Sequence, residues 1–276
     1  VKIDVLVAEI GSTTTVVNAF NGIGTPCPSF VGQGQAPTSV LEGDVTVGLN
    51  GAINSLKENL HADDITWGDM LATSSAAGGL KMVTIGLVPE LTVEAAKRAA
   101  LGAGARVLKS YCYELTIAEI TEIKNMKVDI ILLSGGTDGG NKRTIIENAQ
   151  KIARNFTNIP IIVAGNKCAL DEISVIFAEN HVDFIKTENV MPKLNQINVI
   201  PVREKIREIF MNNIIKSKGM SSVEDYIDGI LMPTPAAVLK ACEVLAHGTE
   251  NFDGVGDLVV VDIGGATTDI HSIAEG

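Results

Sequence analysis

The chain writes one short pattern twice, once near each end. An apolar, β-branched run feeds Glu9-Ile10-Gly11-Ser12-Thr13-Thr14-Thr15, and a second such run feeds Asp262-Ile263-Gly264-Gly265-Ala266-Thr267-Thr268-Asp269. The copies align without a gap, Glu9 on Asp262, Ile10 on Ile263, Gly11 on Gly264, and Thr14 and Thr15 on Thr267 and Thr268. Each reads as a strand, a tight turn and a second strand. Glycine in such a turn lets backbone N–H groups come close to an anion, because no Cβ stands in the way, and the hydroxyls add donors to phosphate oxygens. A carboxylate at the strand end holds a phosphate-bound Mg²⁺, directly or through water. One acid-x-Gly-x-Thr turn is a weak signal, because Gly after a strand is common and Thr is a good strand residue, so a pair of ordinary hairpins is the plain alternative. Two copies at opposite ends point to a pair of turns that clamp one nucleotide.

Composition narrows the partners. The 276 residues are 46% hydrophobic, enough for a sizeable core, and the length alone suits one large domain or two. A net charge of −11 without a basic cluster argues against a nucleic-acid or anionic-membrane surface. An anionic ligand must then be held by backbone donors and metal. The four cysteines, at 27, 112, 168 and 242, form no C-x-x-C pair and no metal-ligand spacing, which fits scattered thiols in a reducing cytosol. The opening apolar run is broken by Asp4 and Glu9 and is too short for a signal peptide or a membrane span. Because the chain opens on Val1 rather than Met, we expect it to be a trimmed piece of a longer protein.

Along the chain, strands are expected at 3–10 and 14–20, with a possible third near Phe30 within a Gly/Pro/Gln-rich stretch. A helix over 47–60 precedes a strand at 70–73 that runs into Ser74-Ser75-Ala76-Ala77-Gly78-Gly79. Helices follow at 91–108, its second half weakened by Gly102 and Gly104, and at 116–126. The stretch 128–186 alternates strand (128–133), helix (142–155), strand (159–164), helix (171–179) and strand (182–186), a βαβαβ unit whose strands should be parallel. Helices at 203–217 and 235–246 lead to the second strand pair at 258–273.

Ser134-Gly135-Gly136-Thr137-Asp138-Gly139-Gly140 falls at the carboxyl end of a parallel strand, where open α/β sheets place ligands. Gly135, Gly136 and Asp138 are therefore candidate cofactor contacts, the bland alternative being a mobile strand–helix turn in which Asp138 only caps. Residues 74–79 have the same placement and serve either a ligand or a partner protein. His61, His181, His247 and His271 have no triad-like spacing with Ser or Cys, and Trp67 reads as a packing anchor.

The paired turns, Glu9-x-Gly11-Ser12-Thr13-Thr14 and Asp262-x-Gly264-Gly265-x-Thr267-Thr268, resemble the two phosphate motifs of the acetate and sugar kinase, Hsp70 and actin superfamily. Within it, the segments 9–19, 32–48, 70–82, 131–140 and 260–272 resemble the MutL family of glutamate mutase (methylaspartate mutase) accessory proteins. That resemblance implies an α/β, actin-like ATPase (ribonuclease H-like) fold of two pseudo-symmetric halves, the second truncated. It places a first half at 1–155, a βα extension and connecting helices at 156–250, and the start of the second half at 251–276. It implies an ATP- and Mg²⁺-binding, cytoplasmic reactivating chaperone for an adenosylcobalamin-dependent mutase. ATP-driven domain movement would release damaged cobalamin, with the mutase subunits as partners and self-association left open. Gly11, Ser12, Thr13 and Thr14 match the first phosphate motif and Gly264, Gly265, Thr267 and Thr268 the second, with Glu9 and Asp262 as catalytic and metal-holding carboxylates. Glu9 stands where the superfamily usually has Asp, and the superfamily's glycine-rich adenosine loop, which follows the second phosphate motif, is expected outside residues 1–276. Rival readings are a small-molecule kinase on the same fold, an ATP-dependent activator of a dehydratase, and an interaction module with a decayed nucleotide site.

Overall fold

The computed structural model describes residues 1–39, 44–75, 80–217, 229–265 and 267–274, with backbone alone at 211–217 and 229–231. The chain forms two units, one of residues 1–79 and 210–276, the other of residues 80–209 inserted between them. The expected boundary at 155/156 falls inside the inserted unit.

The first unit opens as an antiparallel meander, β1 (Lys2–Ile10), β2 (Thr14–Asn21) and β3 (Ser29–Pro37). Helix α1 (Thr46–Asn59) follows, and β4 (Thr66–Ser74) then returns parallel to β1. Alternation writes this sheet into the sequence: Ile3, Leu6, Ala8 and Ile10 of β1 and Val17 and Ala19 of β2 are wholly buried, and Leu49, Ala52 and Leu56 of α1 are buried with them.

The inserted unit is a parallel sheet. Its elements are β5 (Lys81–Gly86), α2 (Glu94–Gly102), β6 (Arg106–Cys112), α3 (Ile117–Asn125), β7 (Ile130–Leu133), α4 (Arg143–Asn155), β8 (Ile161–Val163), α5 (Leu170–Glu179) and β9 (Phe184–Lys186). The strand order is β6-β5-β7-β8-β9, a doubly wound sheet of the 2-1-3-4-5 type. The βαβαβ run read from sequence is thus the second part of a larger unit. Residues 91–108, expected as one helix, are instead a π-helical turn, α2, a loop and the first residues of β6. Gly104 takes φ +77°, a conformation that ends a helix readily only at glycine. The Thr116 hydroxyl accepts from the Glu119 N–H and the Glu119 carboxylate accepts from the Thr116 N–H, a capping box that starts α3.

Helix α6 (Ile200–Ser217) carries the chain out of the inserted unit. Strand β10 (Gly229–Pro233) joins the first sheet parallel to β4, giving the order β10-β4-β1-β2-β3. This is the ribonuclease H-like arrangement, an antiparallel three-strand meander extended on the β1 side by parallel strands, and the α/β actin-like ATPase fold follows from it. Helix α7 (Thr234–His247), the short pair β11 (Gly248–Thr249) and β12 (Phe252–Asp253), and the antiparallel hairpin β13 (Leu258–Ile263) and β14 (Thr268–Ile273) complete the unit.

Candidate functional site

Both repeated turns are β-hairpins built alike. In the first, Ile10 pairs with Thr15 and the Gly11 N–H donates to the Thr14 carbonyl at 3.0 Å. In the second, Ile263 pairs with Thr268 and the Gly264 N–H donates to the Thr267 carbonyl at 2.9 Å. At the described residues of both turns, the sequence alignment is therefore a structural one. The N–H groups of Ser12, Thr13 and Gly265 have no partner among the described residues, which leaves them as donors at the turn tips.

The two tips meet within the first unit. A Cβ built on Gly265 would lie 2.3 Å from Thr13 Oγ1, closer than any side chain tolerates. Any larger residue at 265 would have to push the Thr13 side chain aside. Between the turns lies a cleft of about 230 Å³. Glu9, Gly11, Ser12, Thr13 and Thr14 line it from the first hairpin, and Asp262, Gly264, Gly265, Thr267 and Asp269 from the second. Thr268 is not among the lining residues; its counterpart Thr15 is buried, with its hydroxyl 2.9 Å from that of Thr38.

Sequence reasoning missed the third wall. Strand β10 delivers Thr234 and Pro235, the first residues of α7, into the cleft beside Ser75. The Thr234 hydroxyl donates to Thr73 Oγ1 at 3.3 Å, and no side chain caps α7. Its first turn, in which Pro235 has no N–H, presents its remaining N–H groups and the positive end of the helix dipole, both of which favour an anion. Proline just inside a helix start after an apolar strand was the available signal, in Pro233-Thr234-Pro235. Asp269 was likewise legible, two residues past Thr267 in the repeat.

The electrostatics fit a metal-bridged anion. Among the described residues, no Lys or Arg lines the cleft. Burial raises the Glu9 carboxyl above its ordinary range, and the nearby Asp262 carboxylate raises it further. Two facing carboxylates of this kind are relieved by a divalent cation. The described residues contain no set of three or more His, Cys, Asp or Glu placed to hold a metal. Two carboxylates still suffice for Mg²⁺, which takes one or two protein oxygens and fills the rest of its octahedron with phosphate oxygens and water. Glu9 and Asp262 fit that role.

Gly135, Gly136 and Asp138 belong to the inserted unit. Asp138 Oδ1 accepts from the Lys167 N–H and from Asn189 Nδ2, both at 3.0 Å, while its own N–H donates to the Pro192 carbonyl at 3.0 Å. Asn189 Nδ2 also donates to the Gly136 carbonyl at 3.0 Å. This loop is pinned to its neighbours, whereas the structural alternative read from the sequence was a mobile turn. Of the other glycine-rich stretch, Ser74 ends β4, Ser75 lines the cleft, and 76–79 lie outside the described residues.

The family model for MutL protein matches residues 5–276. The chain belongs to the MutL family. It is 60% identical over 238 residues to Protein MutL of Clostridium tetanomorphum, an alignment that takes in 86% of this chain and 52% of that protein. The chain thus spans about half the length of the curated relative it matches. Likeness to solved structures is faint. A short-chain flavodoxin associated with a bacterial microcompartment matches 49% of this chain and 98% of its own at 14% identity, with a TM-score of 0.37. The nucleotide-free acetone carboxylase matches 99% of this chain and 44% of its own at 13% identity, with a TM-score of 0.33. Membership of the family therefore rests on the sequence match, and the fold on the strand order itself. No helix among the described residues is long and apolar enough to cross a membrane.

Proposed function

We propose that residues 1–276 carry the phosphate and Mg²⁺ part of an ATP site in a cytoplasmic reactivating chaperone. Its client would be an adenosylcobalamin-dependent carbon-skeleton mutase, glutamate mutase, whose subunits are its partners. The observation that carries the reading is the contact of two like-built turns, Gly11–Thr14 and Gly264–Thr267, with Glu9 and Asp262 in one cleft. Membership of the MutL family supports glutamate mutase as the client, and the resemblance of these turns to ATPase phosphate motifs supports ATP as the ligand.

In this reading the free N–H groups of Ser12, Thr13 and Gly265 and the hydroxyls of Ser12, Thr13, Thr14 and Thr267 donate to phosphate oxygens, with the first turn of α7 as a third donor set. Mg²⁺, when bound, neutralises phosphate charge as it develops at the bond that breaks. Asp262 holds that ion or orients the attacking water, and Glu9 faces it from the first hairpin. Because one carboxylate comes from each hairpin, loss of the terminal phosphate changes the force between the turns. That change is the source of the domain movement which would release a damaged cobalamin.

Asp262→Asn in the intact protein tests this. The amide keeps the shape and loses the charge, so ATP hydrolysis should fall at least about a hundredfold, close to 3 kcal/mol of transition-state stabilisation, while nucleotide still binds. Recovery of an inactivated cobalamin mutase with ATP and fresh coenzyme should fall in step. A variant that hydrolyses ATP and restores the mutase at the parent rate removes Asp262 from the mechanism.

A further inference from the structure

The inserted unit holds a second cavity, of about 410 Å³, at the carboxyl ends of β8 and β9. That edge is where parallel α/β sheets take ligands. Four charged side chains line it: Lys167 after β8, Lys186 at the end of β9, Glu188 just beyond, and Asp138 from the loop after β7. Two are cations and two are acids, yet none of the four is in an ion pair among the described residues.

Three of the four, Asp138, Glu188 and Lys186, instead rest on neutral partners. Asp138 accepts from the Lys167 N–H and Asn189 Nδ2, and Glu188 Oε2 accepts from Asn198 Nδ2 at 2.8 Å. Lys186 Nζ lies 5.8 Å from the centre of the Phe184 ring. The frame is preorganised: Asn189 is 4% exposed and Asn166 wholly buried, and both tie neighbouring loops together through their side-chain amides. Charges of both signs that line one cavity without pairing leave each free for a partner on the ligand. A simple anion would meet two carboxylates there, and a simple cation two ammonium groups. A short zwitterion satisfies both signs at once.

We propose that this cavity binds a free α-amino acid, its carboxylate held by Lys167 and Lys186 and its ammonium by Glu188 and Asp138, with Leu170 and Pro192 against the side chain. The site lies wholly in the inserted unit and does not depend on the phosphate cleft, so the two readings fail separately.

Saturation-transfer NMR with the protein and pools of the free L-amino acids, followed by calorimetry on any that bind, tests this. At least one amino acid should bind, and its α-keto acid and its decarboxylated amine should each bind at least about tenfold more weakly. Lys186→Gln and Glu188→Gln, exposed positions whose change should not disturb folding, should each weaken binding at least about tenfold. Absence of binding by any amino acid at millimolar concentration overturns the proposal. So does a keto acid that binds as well as its amino acid, which would mark a plain anion site, or binding that survives both substitutions.

Discussion

The two phosphate-type hairpins are alike at their tips and unlike in their support. β1 and β2 lie inside a five-stranded sheet, with neighbours on both edges and with Leu6, Ala8, Ile10 and Val17 wholly buried. β13 and β14 form a two-stranded sheet among the described residues, and Val259, Val261, Ile263 and Ile270 are 54–78% exposed. Yet the turn hydrogen bond differs by only a tenth of an ångström between them. The turn is therefore specified locally, by its glycine and threonine, while the sheet around it supplies only stability. The acids differ as well: Glu9 sits opposite Val16, whereas Asp262 sits opposite Asp269. Like charges directly opposite across a strand pair repel, so the second hairpin gains more from a bound cation.

The comparison breaks most easily through the core. Leu6→Ala should destabilise the first unit by about 2–4 kcal/mol, because it empties a buried position. Val261→Ala, at the corresponding kind of strand but on an exposed face, should stay within about 0.5 kcal/mol. Urea unfolding of both variants measures this, and equal losses would mean that the second hairpin is as well packed as the first.

The turns give a finer test. A Cβ on Gly11 would lie 2.5 Å from the Thr14 carbonyl oxygen, but one on Gly264 would lie 3.3 Å from that of Thr267. Gly11→Ala should therefore cost about 1–3 kcal/mol, and Gly264→Ala less than about 1 kcal/mol. Thermal unfolding that ranks them in the opposite order would refute the account of the first turn as the tighter one.

Much of this was readable in advance, and the reason is physical. The hairpins are short-range structures in which alternation, a turn glycine and threonine act within a dozen residues. Strands β5 and β6 were not readable. Lys81, Arg106 and Lys109 break their apolar runs, and the Ala-rich stretch before Gly104 reads as helix beyond its true end at Gly102. Their place in a parallel sheet depends on pairing with β7, which no local pattern carries. The third wall of the cleft was hidden for the same reason: Thr234 reaches it only because β10 pairs with β4, more than 150 residues earlier in the chain.

Acid titration sharpens the electrostatic difference, with the smallest expected effect. The raised folded-state pKa of Glu9 means that its contribution to stability is complete at acidic pH and is lost as pH rises through that value. Without Mg²⁺, Glu9→Gln should gain on the parent in stability as pH rises from below the ordinary glutamate range through the raised folded-state value. Asp262→Asn should reduce the parent's decline only in part, because burial is the larger cause of the shift and Asp262 the smaller. Urea midpoints across that range that run parallel for parent and Glu9→Gln would show that the Glu9 carboxyl is not raised, and an Asp262→Asn curve parallel to the parent's would show that the two carboxylates do not sense each other.

The most direct test of the central claim is a crystal structure of the intact protein with Mg²⁺ and a non-hydrolysable ATP analogue. The account predicts a polyphosphate between Gly11–Thr14 and Gly264–Thr267, within hydrogen-bond reach of the Ser12, Thr13 and Gly265 N–H groups, and Mg²⁺ at the Glu9 and Asp262 carboxylates. A nucleotide bound in the inserted unit, at Gly135–Asp138, with the cleft between the turns left to water, would contradict it.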